Sequence, residues 1–209
     1  VSDTSNTQIY SSANTGSIYL DGTGYVAAND TTQKYTFGTE DFTYELWCYD
    51  MSTDTGQRGI MTRQTGGDRT EIYFYKQPTT EILGLYYSGV IVSSTRKIRK
   101  NEWTHIALCR ENGTSRIFMN GELQGSAADT NNLNTPTRLI IGAGDGAISQ
   151  PWIGYLSDIR VEKGRAKYTS NTSFHPNLQP PSYANTSNSG TIATNQFSTF
   201  FVVKICDLN

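Results

Sequence analysis

The sequence is poor in charge and in long apolar runs, and each shortage excludes a class of protein. Charged residues make up 17% of the 209 residues, and the formal net charge is −2. Nucleic-acid binding needs a basic face that neutralises phosphates, so this balance argues against it. No stretch approaches the roughly 18 apolar residues of a membrane-spanning helix. We therefore expect a polar, weakly charged surface, no nucleic-acid partner and no membrane span.

Basic residues form only one short run, RKIRK at residues 96–100. A solvated strand end followed by a turn accounts for such a run. The alternative is a contact for an acidic polymer or for an acidic partner surface.

Cysteine is also scarce, and a chain of this length can bury a core without disulfide staples. Cys48 and Cys109 fall inside strand patterns, where a buried thiol behaves as a small apolar side chain, and Cys206 lies near the end of the sequence. We expect all three thiols to be reduced, which fits assembly in a cytosol. A bridge between Cys48 and Cys109 on neighbouring strands is the alternative.

The apolar residues that are present alternate with polar ones over short stretches, a pattern typical of β-strands. The stretch FTYELWCY, residues 42–49, has bulky groups on both faces and predicts a central strand that is partly covered on both sides. Trp47 and Trp103 fall within such patterns and are interpreted as core residues. Only residues 162–170 allow a helical turn. Short strands that recur at a spacing of roughly 8–12 residues predict an all-β sandwich.

Two Asn-Gly pairs, at residues 112–113 and 120–121, give the sharpest local prediction. Both residues of such a pair accept the positive φ of a type I′ turn, whose twist matches that of the flanking strands. The surrounding segment WTHIALCRENGTSRIFMNGELQG, residues 103–125, alternates on either side of each pair. It therefore predicts a three-stranded antiparallel meander.

The two ends of the sequence lack the core pattern of its middle. Residues 182–196 are polar and of low complexity, whereas residues 197–208, FSTFFVVKICDL, are strongly apolar and strand-like. Such a strand aggregates unless something covers it. We expect an extended N-terminal arm at 1–15, a folded domain at 16–180, and a linker with a docking strand at 181–209.

The order of the segments resembles a concanavalin A-like, laminin-G-type jelly roll over about residues 16–180. The resemblance rests on YLDGTGYV, FTYELWCY, the Asn-Gly meander, LIIGAG and GYLSDIRVEKGRAKYT followed by FHP, in that order. It implies two antiparallel sheets packed face to face. It also implies binding of glycans or proteins, often with a structural calcium ion, and seldom catalysis. Residues 157–181 are similar to the form these domains take in bacteriophage virion and tail proteins.

Candidate glycan contacts are aromatic rings with amides and hydroxyls around them, as in other small-ligand sites. On this basis we select Trp152, Tyr155 and Tyr86, together with Asn131 and Asn132 in the loop ADTNNLNTP. Trp152, at a loop–strand junction, is the leading candidate. Tyrosines on exposed strand faces are also common as ordinary surface, which is the alternative for Tyr86 and Tyr155.

Two aspartates are candidate calcium ligands. Asp21 and Asp158 occupy positions where, by the resemblance, the family often places acidic ligands near the edge of the sandwich. Calcium takes oxygen ligands, chiefly carboxylates and backbone carbonyls. The alternative is that Asp21 caps its glycine turn and that Asp158 is a solvent-facing strand residue. An ion here would stabilise loops rather than perform chemistry.

The sequence shows no catalytic constellation. Some glucanases with this fold carry carboxylates spaced by one residue on a single strand, but here Glu45 is followed on its face by Trp47 and Tyr49. A retaining glycosidase needs two carboxyl groups about 5–5.5 Å apart, which this strand alone does not supply. His105 and His175 have no nucleophile partner in their motifs. We predict no enzymatic activity; a glycoside hydrolase would need a second carboxylate brought close to Glu45 from another strand.

These observations lead to two hypotheses of different classes. The first is a non-enzymatic phage virion protein, in a capsid decoration or a tail, assembled in the host cytoplasm and displayed on the virion surface. Residues 1–15 and 182–209 would contact other virion proteins or copies of the same chain, and host polysaccharide is a further expected partner. The second is an extracellular lectin or adhesin module, which predicts a shallow aromatic site and saturable polysaccharide binding.

Overall fold

A computed structural model describes residues 17–29, 36–64, 72–134 and 138–169 of the chain. Within these ranges the chain forms twelve β-strands and no helix, so none of them holds a helix that could cross a membrane. The strands are β1 (Ile18–Asp21), β2 (Val26–Asn29), β3 (Phe42–Asp50), β4 (Arg58–Gln64), β5 (Tyr73–Lys76), β6 (Ile82–Tyr86), β7 (Val90–Lys97), β8 (Trp103–Glu111), β9 (Thr114–Met119), β10 (Glu122–Ala128), β11 (Arg138–Ile141) and β12 (Ile153–Lys163).

The strands form two six-stranded sheets. Sheet A has the order β1-β12-β3-β8-β9-β10, and sheet B has the order β2-β11-β4-β5-β6-β7. Every pair of neighbouring strands is antiparallel. β1 and β2 belong to different sheets, so the glycine turn between them carries the chain from one sheet to the other. The fold is the all-β, two-sheet jelly-roll sandwich that the sequence predicts.

The arms and the domain limits remain predictions. Residues 1–15 and 181–209 lie outside the described residues, and so do the last residues of the expected domain at 16–180. The helical turn considered for 162–170 does not form in the described part of that segment, because β12 continues to Lys163.

The core lies between the two sheets and follows the alternation of the strands. In β3, Phe42, Tyr44, Leu46 and Cys48 point into the core, and the side chains between them face outwards. Removing such apolar surface from water stabilises a fold by roughly 25 cal/mol per Å². The outward residues of β3 are also largely buried, which confirms the expectation of a central strand covered on both sides.

The Asn-Gly meander forms as the sequence predicts. Asn112 and Gly113 have φ angles of 46° and 70°, and Asn120 and Gly121 have φ angles of 49° and 82°. Positive φ at both central residues is the requirement of a type I′ turn. β8, β9 and β10 therefore lie side by side at one edge of sheet A.

A buried cation lies at each end of the sandwich. At one end the Arg110 guanidinium donates hydrogen bonds to the carbonyl oxygens of Glu40, at 2.7 and 3.0 Å, and of Asn131, at 2.8 Å. At the other end Lys76 Nζ donates to Asp50 Oδ2 at 2.5 Å. Buried charges are tolerated only when they are paired and hydrogen-bonded, so these contacts fix the loops around them.

The two described cysteines lie on opposite faces of sheet A. Cys48 points into the core opposite Thr104, whereas Cys109 faces outwards opposite Thr43. Both are free thiols, so the alternative of a Cys48–Cys109 bridge is wrong. Burial raises the pKa of both thiols, that of Cys109 to about 12, and keeps them protonated. Cys206 lies outside the described residues.

Candidate functional site

Four aromatic side chains form a row across the outer face of sheet A. Tyr19 on β1 lies opposite Tyr155 on β12, Tyr155 lies opposite Tyr49 on β3, and Tyr49 lies opposite Trp103 on β8. The neighbours of these residues along each strand point into the core, so all four rings emerge on the other side. We call these four residues the aromatic row.

The rings of the aromatic row support one another. The ring centroids of Tyr19 and Tyr155 are 5.0 Å apart, those of Tyr155 and Tyr49 are 6.0 Å apart, and those of Tyr49 and Trp103 are 5.5 Å apart. The ring planes are tilted or edge-to-face, the arrangements that aromatic pairs prefer. Tyr19 is 43% exposed and the other three rings are partly exposed. Three strand spacings give the row a length of about 14 Å, enough for a short oligosaccharide.

The sequence identified one member of the row and misplaced another. Tyr155, a ligand candidate from the sequence, lies in the row. The prediction of a core position for Trp103 is wrong, because this side chain faces outwards and is partly exposed. Ile106 points into the core, and strict alternation along β8 from Ile106 places Trp103 on the outward face. This alternation could have predicted the position of Trp103 from the sequence. Tyr19 and Tyr49 were missed because only the pairing of four strands distant in sequence aligns them.

The structure corrects the expectation for Trp152. Its side chain is 0% exposed and packs in the core between the sheets. Its backbone N–H donates to the carbonyl of Gly142 at 2.8 Å, which fixes the entry into β12. An indole enclosed in this way has no surface to offer a ligand. A position at a loop–strand junction does not show whether a side chain points inwards or outwards, so the sequence could not settle this.

The remaining ligand candidates lie far from the row. Tyr86 is 39% exposed but belongs to the outer face of sheet B. Asn131 and Asn132 lie in a loop at the end of the sandwich where Arg110 is buried, and the carbonyl of Asn131 accepts a hydrogen bond from that guanidinium. Arg110 and Trp103 are seven residues apart on β8, a distance of about 23 Å. Of the five residues selected from the sequence, the structure thus places only Tyr155 in the row.

The two aspartates selected as calcium ligands do not meet. Asp21 Oδ1 accepts hydrogen bonds from the backbone N–H and the hydroxyl of Thr23, at 2.8 and 2.6 Å, and these bonds lower the pKa of Asp21. Asp158 lies in a β-bulge with a φ of 45°, and its Oδ1 is 3.5 Å from the Arg160 guanidinium. Five residues of β12 separate Asp158 from Ile153, the partner of Asp21, which is roughly 16 Å.

These contacts do not form one metal site. Among the described residues, no group of three or more His, Cys, Asp or Glu side chains is arranged to hold a metal ion. Asp21 caps its own turn, as the alternative interpretation proposed. A calcium ion at either aspartate stays a prediction.

A cluster of buried charges covers the other part of the outer face of sheet A. Glu45 is 2% exposed, and its carboxylate accepts hydrogen bonds from Arg160 at 2.9 Å, Lys167 at 2.6 Å and Tyr168 at 2.5 Å. His105 Nε2 lies 3.4 Å from the same carboxylate. Burial opposes the ionisation of Glu45, but these bonds and the charge of Lys167 outweigh it and hold the pKa of Glu45 well below its usual range.

The segment that follows β12 encloses this cluster. Lys167 and Tyr168 lie over Glu45, and the backbone N–H of Lys167 donates to the Thr43 hydroxyl at 2.8 Å. Burial and the negative charge of Glu45 raise the pKa of Tyr168, so its hydroxyl remains a donor. The aromatic row therefore lies on the part of the outer face that this segment leaves open.

The charge cluster does bring a second carboxylate towards Glu45. The Arg160 guanidinium that binds Glu45 also lies 3.5 Å from Asp158, which comes from another strand. Both carboxylates contact that guanidinium, Glu45 is also paired with Lys167, and Glu45 is enclosed. These contacts fit a structural cluster, and the lack of enzymatic activity stays a prediction.

Comparison with known proteins gives the following matches. Residues 20–166 match a sequence family that is described as the concanavalin A-like lectin/glucanases superfamily. No curated protein sequence matches at a significant level. A Bacteroides ovatus protein to which carbohydrate binding has been attributed shares 18% identity with a TM-score of 0.52. That match covers 66% of this chain and 40% of the Bacteroides chain.

Two further solved structures show the same architecture. The CBM40 domain of Ruminococcus gnavus IT-sialidase, bound to α2,3 sialyllactose, shares 12% identity with a TM-score of 0.55, over 73% of this chain and 91% of that chain. Domains LG4-5 of the mouse laminin alpha1 chain share 14% identity with a TM-score of 0.50, over 75% of this chain and 44% of that chain. At these identities the similarity shows the fold alone.

Proposed function

Since the chain belongs to the concanavalin A-like lectin/glucanase superfamily, we propose that it binds carbohydrate through the aromatic row and does not transform it. The row carries this proposal: four rings lie in line on the outer face of sheet A, and Tyr19 at its end is 43% exposed. Aromatic walls with a few polar groups at their edges are the usual lining of small-ligand sites. The sialyllactose-bound CBM40 domain and the Bacteroides protein support the same function.

The fold holds the four rings of the aromatic row in place before a ligand binds. Each ring stands on a strand of a six-stranded sheet and packs against a neighbouring ring, so binding restricts little further motion. A ligand that meets groups already fixed in place loses less affinity to ordering. An open row on a sheet face takes part of a longer chain rather than enclosing a single sugar, so polysaccharides are the expected ligands.

The test compares row variants with a matched tyrosine elsewhere. Tyr155→Ala and Trp103→Ala should weaken binding to a polysaccharide that the wild-type chain recognises by about tenfold or more, because each removes a ring that contacts the ligand. Tyr86→Ala removes an exposed ring from sheet B and should leave the affinity unchanged. Calorimetry on folded variants gives the numbers. Weaker binding by Tyr86→Ala, with unchanged binding by the two row variants, would place the site on sheet B.

The location of the domain, on a virion or outside a cell, is a separate proposal. We infer display on a virion from the sequence alone, from residues 157–181 and from the apolar segment 197–208. An extracellular lectin or adhesin fits the carbohydrate-binding neighbours at least as well. Deleting residues 182–209 should abolish attachment to other virion proteins, or self-association, and leave a folded domain. Unchanged assembly of the shortened chain, measured by sedimentation, would argue for the lectin.

A structural calcium ion near Asp21 or Asp158 is a proposal that rests on the resemblance alone. Thermal unfolding in calcium and in EDTA tests it. A melting temperature that calcium raises and EDTA lowers supports the ion, and identical curves argue against it.

A further inference from the structure

We propose that a basic groove at the same end of β8 as Trp103, on the inner side of sheet A, binds the carboxylate or sulfate groups of an acidic glycan. This inference rests on the proposed function, since it names the class of glycan that the row would hold. The groove is a cavity of about 490 Å³ between β7 of sheet B and the β8–β10 edge of sheet A. Its rim carries Arg96, Lys97 and Arg99, and its floor includes Thr104 and Gln124.

The packing of the two sheet edges creates this groove. β10 and β7 touch at Gly125, where a Cβ atom would lie 2.3 Å from the carbonyl oxygen of Ser93. Only glycine permits that approach. The cavity lies next to this contact, on the side of Glu122 at the start of β10. A β-bulge between Leu123 and Gly125 leaves Gln124 as the extra residue of β10. Bulges re-aim side chains, and here the buried Gln124 amide accepts a hydrogen bond from Thr95 at 3.0 Å.

The rim has an excess of positive charge. Arg96 forms an ion pair with Glu122, and Arg99 lies 3.6 Å from Glu102. All four side chains are exposed, and exposed ion pairs are weak, so an acidic group of a ligand can replace either glutamate. Lys97 is exposed and has no acidic partner among the described residues. Three cations against two carboxylates favour an anionic ligand.

The other groups of the groove suit a sugar. Asn120 is exposed, and its amide nitrogen can donate to a sugar hydroxyl; its Oδ1 accepts the backbone N–H of His105 at 2.8 Å. The groove opens at the end of β8 where Trp103 lies, on the opposite face of sheet A from the row: Thr104, which lines it, pairs with the core residue Cys48, and Glu102 immediately precedes β8. An oligosaccharide that contacts both would stack on Trp103 and pass round the start of β8 to place an acidic group in the groove. The basic run at residues 96–100 would then contact an acidic polymer, which is the alternative that its sequence allows.

The test measures the affinity of the full chain for four defined polymers. Polygalacturonate and its carboxyl-reduced form differ in carboxylates, and dextran sulfate and dextran differ in sulfates. We expect tighter binding to the charged member of at least one pair, and weaker binding at high ionic strength. The pair that responds identifies the acidic group.

Two matched double variants locate the effect. Lys97→Ala with Arg99→Ala should weaken binding to the acidic polymer by about tenfold, because two cations are lost from the rim. Lys163→Ala with Arg165→Ala removes the same charge from the opposite end of the sandwich and should change nothing. Trp103→Ala should weaken binding to charged and uncharged glycans alike.

The failures of the two proposals are distinguishable. A chain that binds glycans through the row, but holds charged and uncharged forms equally, overturns the groove and leaves the proposed function intact. The same holds if the Lys97/Arg99 variant binds the acidic polymer as tightly as the wild-type chain does. A folded chain that binds no glycan in a broad panel overturns both.

Discussion

At the scale of single residues, Glu45 keeps a negative charge away from water because Arg160, Lys167 and Tyr168 surround it. Glu45→Gln keeps the shape but leaves two cations with a weaker acceptor. We expect it to lower the free energy of unfolding near neutral pH by about 1.5–3 kcal/mol, measured by chemical denaturation. Glu102→Gln changes an exposed carboxylate and should change the free energy by less than about 0.5 kcal/mol.

The effect of Glu45 has a definite pH dependence. Its pKa is lower in the folded chain than the usual value of 4.5, so its stabilisation is fully present above pH 4.5. Below pH 4.5 the unfolded chain takes up the proton first, and the stabilisation is lost progressively as the pH falls. The difference between wild type and Glu45→Gln should therefore shrink in acid. A difference that stays constant into acid would show that the charge of Glu45 is not what stabilises the fold.

Trp152 has a structural role that its sequence context does not reveal. Trp152→Ala should lower the free energy of unfolding by about 3–5 kcal/mol, because it empties a large volume of the core. Trp152→Phe fills more of that volume and should fold with unchanged glycan affinity. Loss of binding in the folded phenylalanine variant would contradict the placement of this ring in the core.

At the scale of elements, the Asn-Gly turns fix the register of the meander. Gly121 has a φ of 82°, which a side chain tolerates poorly, so Gly121→Ala should lower the free energy of unfolding by about 1 kcal/mol. Gly24 is a matched control, because a Cβ there meets no atom within 4 Å and its φ is not positive. Equal effects of the two substitutions on the denaturation midpoint would contradict the type I′ assignment.

The sequence predicted the elements whose signals are local. Alternation over 42–49 and the Asn-Gly pairs determine β3 and the meander, since each signal lies within the segment that it shapes. The aromatic row depends on strand order, and β1, β12, β3 and β8 become neighbours only in the folded sheet. Tyr155 was therefore found as a single residue, without Tyr19, Tyr49 and Trp103 as its partners.

At the scale of the whole molecule, the described part of the chain places the aromatic row and the basic groove at the same end of β8, on opposite faces of sheet A. The aromatic row lies at the end of sheet A where Lys76 and Asp50 are buried, and the basic groove lies between β7 of sheet B and the β8–β10 part of sheet A. The segment with Lys167 and Tyr168 covers the rest of the outer face of sheet A. A glycan chain bound by both, as proposed, would run along the row and round the start of β8 into the groove.

The measurement that tests the central claim most directly is the NMR titration of the three tryptophan indole N–H signals with a recognised glycan. Each ring occupies a different environment, and Trp103→Phe assigns the signal of the row. We expect the Trp103 signal to shift and saturate with the glycan, while the signal of Trp152 in the core stays in place. Binding that leaves the Trp103 signal unmoved would contradict the assignment of the aromatic row as the carbohydrate site.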